Sequence, residues 1–247
     1  MPYYQEIFLR LDKFLSEKGI GTRKQIKEYV KNGRATINGV VAKNSDQHID
    51  ENNDEIAFDG NILTYKEFYY FMLNKPQGVV SSTREGRSQT VVDLLKDEGV
   101  KDLFPVGRLD KDTVGLLLLT NDGVLAHNLL SPKKHVEKEY EVYLEHDITD
   151  EDMHRLEEGV DIGDDEKTLP AKAFRAEDKE GHQIIHLIIH EGRFHQVKRM
   201  LNAVGNEVVF LRRLSMGSLK LDVDLAEGEY RALTENEIDC LINSNKN

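Results

Sequence analysis

A polar loop that leads into a wholly apolar run is the feature that most limits how this chain folds. Residues 107–113 read Gly-Arg-Leu-Asp-Lys-Asp-Thr, and residues 114–119 read Val-Gly-Leu-Leu-Leu-Leu before a polar turn. A short apolar run bounded by turn residues predicts a buried strand, and a loop fixed to such a strand is where catalytic groups are usually held. Asp110 in this loop is therefore a candidate catalytic residue, although an isolated loop aspartate more often bonds backbone amides.

The order of elements after residue 68 indicates the fold class. Because predicted helices and strands do not alternate regularly, the order favours an α+β fold, with a mixed, largely antiparallel sheet and flanking helices, over a doubly wound sheet. Helices are predicted near 90–96, 123–130, 151–158 and 194–204, and late strands around 140–144, 184–189, 207–211 and 218–221.

The N-terminal part reads as a separate, smaller α/β module. Apolar residues at helical spacing on both sides of a Gly-Ile-Gly segment predict two short helices, the second capped by Thr22. Asn38-Gly39 between two β-rich arms predicts a hairpin with a type I′ turn, and a further strand is expected at 55–58. We place the two domains at 8–62 and 67–243.

Charge is segregated along the chain. The formal net charge of -12 argues against a polyanionic partner, yet residues 8–44 contain nine basic and three acidic residues, which leaves -18 for the rest. Residues 145–166 contain eleven acidic residues and one arginine, and are expected to form a solvated face directed away from any polyanion. The basic residues of the N-terminal segment that are candidates for phosphate contacts are Arg10, Lys13, Arg23, Lys24, Lys27 and Arg34.

Composition predicts a folded, cytoplasmic protein. Hydrophobic residues make up 39% and charged residues 32% of the chain, which is the balance of a globular protein. No apolar run approaches the roughly 18 to 20 residues of a membrane-spanning helix, and the start lacks a signal-peptide pattern. Cys240 is the single cysteine, so no intramolecular disulfide and no cysteine cluster for zinc are expected.

Four motifs in fixed order carry a resemblance to a known family. Residues 71–78, the loop at 107–123, the segment 137–140 ending in a tyrosine, and residues 191–200 resemble the motifs of RNA pseudouridine synthases. Together with the tail at 221–231, they are similar to the small-subunit ribosomal pseudouridine synthase A type and its large-subunit relatives. Segments 10–15, 22–26 and 33–39 resemble the S4-type RNA-binding domain, so the resemblance covers nearly the whole chain.

The resemblance implies roles for individual residues. It implies that Asp110 is the catalytic aspartate, that Tyr140 packs against the target base, and that Lys198 pairs with the aspartate. It also implies that Arg108 helps to displace the target nucleotide, and that the basic S4-like residues named above grip RNA backbone. Taken singly, Tyr140 would be a half-buried strand residue and Lys198 part of a wet helix face, so only the shared order of motifs favours the functional interpretation.

The chemistry accounts for these residue types. Uridine becomes its C-glycoside when the N1–C1′ bond breaks, the uracil rotates and C5 joins C1′, so no cofactor, metal or nucleotide is expected. Asp110 can attack the sugar, attack the base or remove a sugar proton, and the sequence leaves these three routes open. Lys198 would hold Asp110 in its ionised form.

Several other side chains were weighed for function. His186 and His190 share a strand face but lack a third ligand, so no metal site is expected. For His195, packing or RNA contact is favoured over acid-base catalysis. Leu211 and Leu219 are candidates for the apolar wall opposite the tyrosine, although core packing explains them equally well.

The expected function is isomerisation of a specific uridine in 16S ribosomal RNA by a monomer without a membrane partner, with a small-subunit assembly intermediate as substrate. One alternative keeps the chemistry and moves the target to 23S ribosomal RNA. A second is a non-catalytic RNA-binding assembly factor. A third is a metal-dependent hydrolase that uses Asp110 and Asp112, for which a spacing of two residues is weak support.

Overall fold

The chain folds into two compact units, Met1–Glu67 and Phe68–Asn247. The computed structural model describes residues 9–50, 53–63, 68–84, 86 and 88–244, so the predicted domain starts at residues 8 and 67 lie outside the described residues. Each unit has its own hydrophobic core. The first unit contains one cluster of buried hydrophobic residues and the second contains two. Within the described ranges, no helix is long and apolar enough to cross a membrane.

The first unit contains the two predicted helices and the predicted hairpin. Thr22 accepts a hydrogen bond from the backbone of Gln25, whose side chain bonds back to Thr22, so the second helix begins with a capping box. Asn38 and Gly39 have φ of 51° and 76°, as a type I′ turn requires. Elements are β1 Leu9–Arg10, α1 Leu11–Glu17, α2 Arg23–Lys31, β2 Ala35–Ile37, β3 Val40–Val41, β4 His48–Ile49, β5 Ile56–Phe58 and β6 Asn61–Leu63.

Strands of the first unit form two small sheets. The order β3-β2-β5-β6 makes a four-stranded antiparallel sheet, and β1 pairs with β4. The predicted strand at 55–58 is confirmed as β5. The pair β1 and β4 was not predicted, because strands of two residues carry no readable alternation.

The second unit is built on one mixed sheet in the order β11-β12-β10-β13-β9-β7-β15, to which β14 adds at β13 and β8 at β9. Only β13 and β9 run parallel among its pairs, which confirms a largely antiparallel α+β fold. Its strands are β7 Tyr70–Lys75, β8 Phe104–Pro105, β9 Val114–Thr120, β10 Lys138–Leu144, β11 Lys172–Arg175, β12 Ile184–Ile189, β13 Val208–Met216, β14 Leu219–Lys220 and β15 Tyr230–Ala232. Its helices are α3 Gly123–Leu130, α4 Asp150–Glu158, α5 Gln196–Ala203 and α6 Glu235–Ser244, with 3₁₀ turns at Asp93–Glu98 and Pro132–Lys134.

Strand β9 is buried along its whole length because both faces of the sheet are covered there. Leu117 and Leu119 belong to the core that includes residues of α4 and α5. Leu116 and Leu118 point the other way, into the core with residues of α3 and α6. A continuous apolar run is the pattern that such a strand requires, which confirms the prediction made from 114–119.

Two predicted element positions need correction, and one helix was not predicted. The helix expected near 90–96 is a 3₁₀ turn that begins at Asp93, whose carboxylate accepts hydrogen bonds from Thr90. The strand expected at 207–211 extends to Met216 as β13. Helix α6 was missed although Thr234 and Glu237 form a capping box that the sequence already displays.

Gly115 lets β9 and β13 approach closely. It pairs with Arg213 in the parallel ladder and has φ of 99°, and a Cβ built on it would lie 2.4 Å from the carbonyl oxygen of Arg213. Gly115→Ala is therefore expected to lower the free energy of unfolding by about 3 to 5 kcal/mol, from backbone strain and overpacking together. Denaturant unfolding of the variant and the parent measures this difference in the free energy of unfolding.

Gly123→Ala is the matched control. Gly123 begins α3, and a Cβ there would meet no heavy atom within 4 Å. Alanine is the better helix former, so this variant is expected to be as stable as the parent or up to about 1 kcal/mol more stable. Equal stability of the Gly115 variant and the parent would contradict the close approach.

Candidate active site

The loop before β9 is held from one side by the segment that follows β7. The hydroxyl of Ser81 donates to the carbonyl oxygen of Leu109 at 2.9 Å and accepts from the amide of Leu109 at 3.1 Å. The amide of Gly78 donates to the carbonyl oxygen of Lys111 at 2.8 Å. These bonds fix the backbone on both sides of Asp110, so its carboxylate is presented by a rigid loop.

A buried lysine stabilises the same loop by hydrogen bonds to its carbonyl oxygens. Lys75 is 0% exposed, and its ammonium donates to the carbonyl oxygens of Thr113 at 2.8 Å, Pro76 at 3.0 Å and Lys111 at 3.4 Å. Burial lowers the pKa of Lys75 to about 8, although the charges of Asp112 and Asp110 oppose that shift. This role was not predicted, because nothing in the local pattern shows that a strand lysine turns inward.

Asp110 lies between a histidine and a lysine of the third motif. Its carboxylate is 3.4 Å from Nε2 of His195 and 3.6 Å from Nζ of Lys198. The side chain is about one-quarter exposed, so a ligand in the cleft can reach it. The structure thus brings together the aspartate and the lysine that the sequence named, and adds His195 to them.

The shortest contact of Lys198 is with a different carboxylate. Its Nζ lies 2.6 Å from Oδ1 of Asp112, against 3.6 Å from Asp110. The hydrogen bond from Lys198 lowers the pKa of Asp112. Lys198 is therefore shared between the two loop aspartates, because both lie within ion-pair distance of its ammonium group.

A cleft with polar and apolar walls opens beside Asp110. It encloses about 440 Å³ of non-protein space, including its opening to solvent, and is lined by Tyr140 of β10 and Leu211 of β13 together with Ile189 of β12. Leu219, the other residue considered for the wall, instead packs in the core that includes residues of α3 and α6.

Arg108 stands exposed among the residues lining this cleft. It forms no ion pair with any residue in the described ranges, so no structural ion pair accounts for it. A guanidinium without an ion-pair partner at the edge of this cleft is suited to a phosphate or a base edge.

Part of the acidic stretch faces the third motif. The carboxylate of Asp164 lies 2.5 Å from Arg199 and 3.5 Å from Arg193, and the hydrogen bond from Arg199 lowers the pKa of Asp164. Asp164 is exposed, as expected for a solvated face, but its carboxylate is directed toward two arginines of the third motif. The number of charged residues in a segment does not show where each side chain points. Here the segment returns to the third motif, where Asp164 binds two arginines.

His186 and His190 are bound to carboxylates of the neighbouring strand region. Nδ1 of His186 is 2.8 Å from Glu139, and Nε2 of His190 is 3.3 Å from Glu137. In the part of the chain that the structure describes, no group of three histidine, cysteine or acidic side chains is placed to hold a metal ion.

The candidate RNA-binding residues of the first unit fall into two groups. Arg23, Lys24 and Lys27 lie exposed on α2, and none forms an ion pair with a described residue. The other three are engaged: Arg10 with Asp12 at 2.7 Å, Lys13 with Glu17 at 3.8 Å and Arg34 with Asp59 at 2.5 Å.

Arg34 also has a packing role. Its guanidinium lies 4.4 Å from the ring centre of Tyr29 and 4.6 Å from that of Phe58, and Asp59 raises its pKa by hydrogen bonding. It therefore ties α2 to β5 while one edge remains open to solvent.

The mixed sheet presents an aspartate, a lysine and a tyrosine at one cleft, in a chain whose separate N-terminal module carries exposed basic residues on α2. Residues 69–203 match the family described as RNA pseudouridylate synthase, and residues 9–56 match the S4 domain. The chain belongs to the RNA pseudouridylate synthase family and carries an N-terminal S4 domain.

Individual relatives match over nearly their whole length. The uncharacterized RNA pseudouridine synthase YtzG of Bacillus subtilis is 54% identical over 234 residues, which are 94% of this chain and 98% of that protein. Ribosomal small subunit pseudouridine synthase A of Escherichia coli K12 is 40% identical over 236 residues, 95% of this chain and 100% of that protein. A crystal structure of a pseudouridylate synthase superposes with a TM-score of 0.65 at 42% identity, covering 94% of this chain and 99% of that one.

Proposed function

We propose that this enzyme isomerises a specific uridine in 16S ribosomal RNA, with Asp110, Tyr140 and Lys198 as its catalytic residues. The observation that carries the proposal is the carboxylate of Asp110, held 3.6 Å from Lys198 in a cleft lined by Tyr140. The small-subunit target is supported by relatives named ribosomal small subunit pseudouridine synthase A, which are 40–43% identical over at least 93% of this chain.

The order of events follows from the positions of these groups. Arg108 at the cleft helps to draw the target nucleotide out of its stack, and the ring of Tyr140 packs against the uracil, which offsets part of the cost of unstacking. The N1–C1′ bond breaks and the C5–C1′ bond forms. The proton on C5 leaves and N1 gains one, so the rearrangement involves no net oxidation.

Asp110 is the group that starts this sequence. As a carboxylate it attacks the sugar, attacks the base or removes a sugar proton, and each route requires it to be ionised. Lys198 favours the ionised form because it places an ammonium beside Asp110 and Asp112. Lys75 holds the loop carbonyls, so the carboxylate stays in place during base rotation.

The S4 domain supplies RNA affinity. We assign residues 8–62 to the S4 domain and residues 67–243 to the catalytic domain. The exposed Arg23, Lys24 and Lys27 of the S4 domain contact phosphates directly. Arg10, Lys13 and Arg34 contribute to RNA binding while also forming ion pairs within the domain. The enzyme acts in the cytoplasm as a monomer, and its substrate is a small-subunit assembly intermediate.

The most direct biochemical test uses RNA that carries tritium at C5 of uridine. Because C5 loses its hydrogen during isomerisation, the purified full-length enzyme is expected to release tritium from a 16S transcript and not from a 23S transcript. Release from 23S RNA alone would overturn the proposed target. Release from neither transcript, with assembly intermediates also tested, would overturn the proposed function.

Salt dependence tests the role of the S4 domain. The triple variant Arg23→Gln, Lys24→Gln, Lys27→Gln is expected to bind 16S RNA about tenfold more weakly, and to reduce the slope of log Kd against log salt by roughly 2 to 3. Filter binding between low and moderate salt measures both. Lys101→Gln, an exposed lysine in the other unit, is the control and should change neither. An unchanged slope in the triple variant would contradict phosphate contact by α2.

A further inference from the structure

Phe194 is an uncovered aromatic side chain next to the catalytic cleft. It is 70% exposed, whereas every other aromatic residue in the described ranges except Phe174 is buried or half-buried. Its ring stacks on the imidazole of His195, with centres 3.8 Å apart and planes 19° apart. The outward face of the phenylalanine is free, so the pair presents a flat apolar surface to solvent.

His195, the inner ring of the stack, borders the space around Asp110 in two cavities. His195 contacts Asp110 at 3.4 Å and lines the cleft that contains Tyr140. It also lines a second, open cavity of about 660 Å³ of non-protein space, with Lys111, Asp112 and Lys198 among the other wall residues. A nucleotide adjacent in sequence to one in the cleft would therefore lie close to this stack.

The backbone that carries the stack is fixed. Arg199 donates to the carbonyl oxygen of Phe194 at 3.1 Å and also to that of Ile162 at 3.0 Å. Arg193 donates to the carbonyl oxygens of Glu166 at 2.6 Å and Lys167 at 2.9 Å. The two arginines thus tie the turn to the neighbouring loop, and a ring on a fixed turn loses little freedom when a ligand stacks on it.

The turn itself has the same rigidity. The amide of Arg193 donates to the side-chain oxygen of Gln196 at 2.8 Å, and the amide of Gln196 donates to the carbonyl oxygen of Arg193 at 3.2 Å. His195 adopts a left-handed conformation, with φ of 48°, at the start of α5. Both rings of the stack are exposed.

The charges beside the stack suit a polyanion. Arg108 and Lys111 are exposed near the same loop, and neither forms an ion pair with a residue in the described part of the chain. An exposed aromatic face combined with nearby cations is the pattern by which proteins bind single-stranded RNA, since every base offers a π-face whatever its identity. A protein partner would not need the cations at this position.

We propose that the Phe194–His195 stack is a platform on which an unpaired RNA base adjacent to the target uridine stacks. The platform holds the neighbouring nucleotide while the uridine occupies the cleft with Tyr140, so it positions the strand and does not take part in bond making. This inference rests on the proposed function, because it identifies the bound nucleotide by its place next to the target.

The chain contains a matched control. Phe174 is 45% exposed and its ring centre lies 5.1 Å from that of His186, so it is a second exposed phenylalanine beside a histidine. His186 bonds to Glu139. Glu139 precedes Tyr140 on β10, and successive residues of a strand point to opposite faces, so this pair lies on the face away from the cleft.

The test measures binding of short RNAs that contain the mapped target uridine. Each neighbouring nucleotide in turn is replaced by an abasic residue, and Kd is measured by fluorescence anisotropy with full-length wild type, Phe194→Ala, Phe194→Tyr and Phe174→Ala. For the intact RNA, Phe194→Ala is expected to raise Kd about tenfold, whereas Phe194→Tyr and Phe174→Ala leave it unchanged. For one abasic RNA, wild type and Phe194→Ala are expected to bind equally, because the stacking partner is missing.

Two results would overturn the platform. One is an unchanged Kd for Phe194→Ala with intact RNA. The other is a tenfold loss that persists with every abasic RNA, which would mean that the phenylalanine contacts backbone or protein and not a base. Tritium release by the wild type in the same preparations separates the platform from the proposed function. If tritium is released and either of these results is found, the platform alone is refuted. If no tritium is released, the proposed function is refuted.

Discussion

Asp110→Asn is expected to abolish pseudouridine formation while leaving the fold and RNA binding intact. Asparagine keeps the shape of aspartate, but its amide neither attacks carbon nor removes a proton, so each of the three routes stops at its first step. We expect kcat to fall by about 10⁴-fold or more, in line with the loss of other essential catalytic groups. Tritium release measures the rate, and anisotropy with unlabelled RNA should show a Kd within about twofold of wild type.

Asp112→Asn is the control for this variant. Asp112 lies two residues further along the same loop and is more exposed than Asp110, with Lys198 as its closest partner at 2.6 Å. Its loss leaves Lys198 free to turn fully to Asp110, so we expect less than a tenfold change in kcat. Substantial activity in the Asp110 variant, or equal damage from both substitutions, would contradict the assignment of Asp110.

Lys198→Met has the second largest expected effect. Lys198 is the ammonium shared by Asp110 and Asp112, and its removal leaves the two loop carboxylates with less compensating charge. Losing charge-assisted contacts of this kind costs about 2 to 3 kcal/mol, so kcat should fall roughly 100-fold. Lys198→Arg keeps the positive charge, so its kcat should fall much less. The comparison of the two variants separates the effect of the charge from that of the side-chain shape.

Lys111→Met is the matched control for the lysine. Lys111 lies between the two aspartates in sequence and is exposed, but its ammonium makes no ion pair within the described ranges. Its removal should affect RNA binding slightly and kcat little. If Lys198→Met retained wild-type kcat, or if both lysine variants lost activity equally, the electrostatic role of Lys198 would be wrong. Thermal unfolding of each variant checks that the fold is retained.

Local sequence signals predicted the elements that depend on near neighbours. Thr22 with Gln25 specifies a capping box, Asn38-Gly39 specifies a turn, and the apolar run at 114–119 specifies a strand covered on both faces. Helix α6 carried a readable signal at Thr234, but its mixed polar and apolar residues show weaker periodicity than α2 or α5.

The parts of the site that were missed depend on contacts between distant segments. Lys75 turns inward because the carbonyl oxygens of Thr113 and Lys111 converge there, 36 to 38 residues away in sequence. Asp164 faces Arg199 only because the loop after α4 returns to α5. Sequence showed the charges of these residues but not their directions, and the motif order alone supplied the link between Asp110, Tyr140 and Lys198.

The central claim is tested most directly by pseudouridine maps of both ribosomal RNAs from three sources: cells with the protein, cells without it, and cells with only the Asp110→Asn form. We predict that one 16S uridine is converted in the first and remains uridine in the other two, while the 23S map does not change. Identical maps from all three, or loss of a 23S pseudouridine instead, would contradict the account.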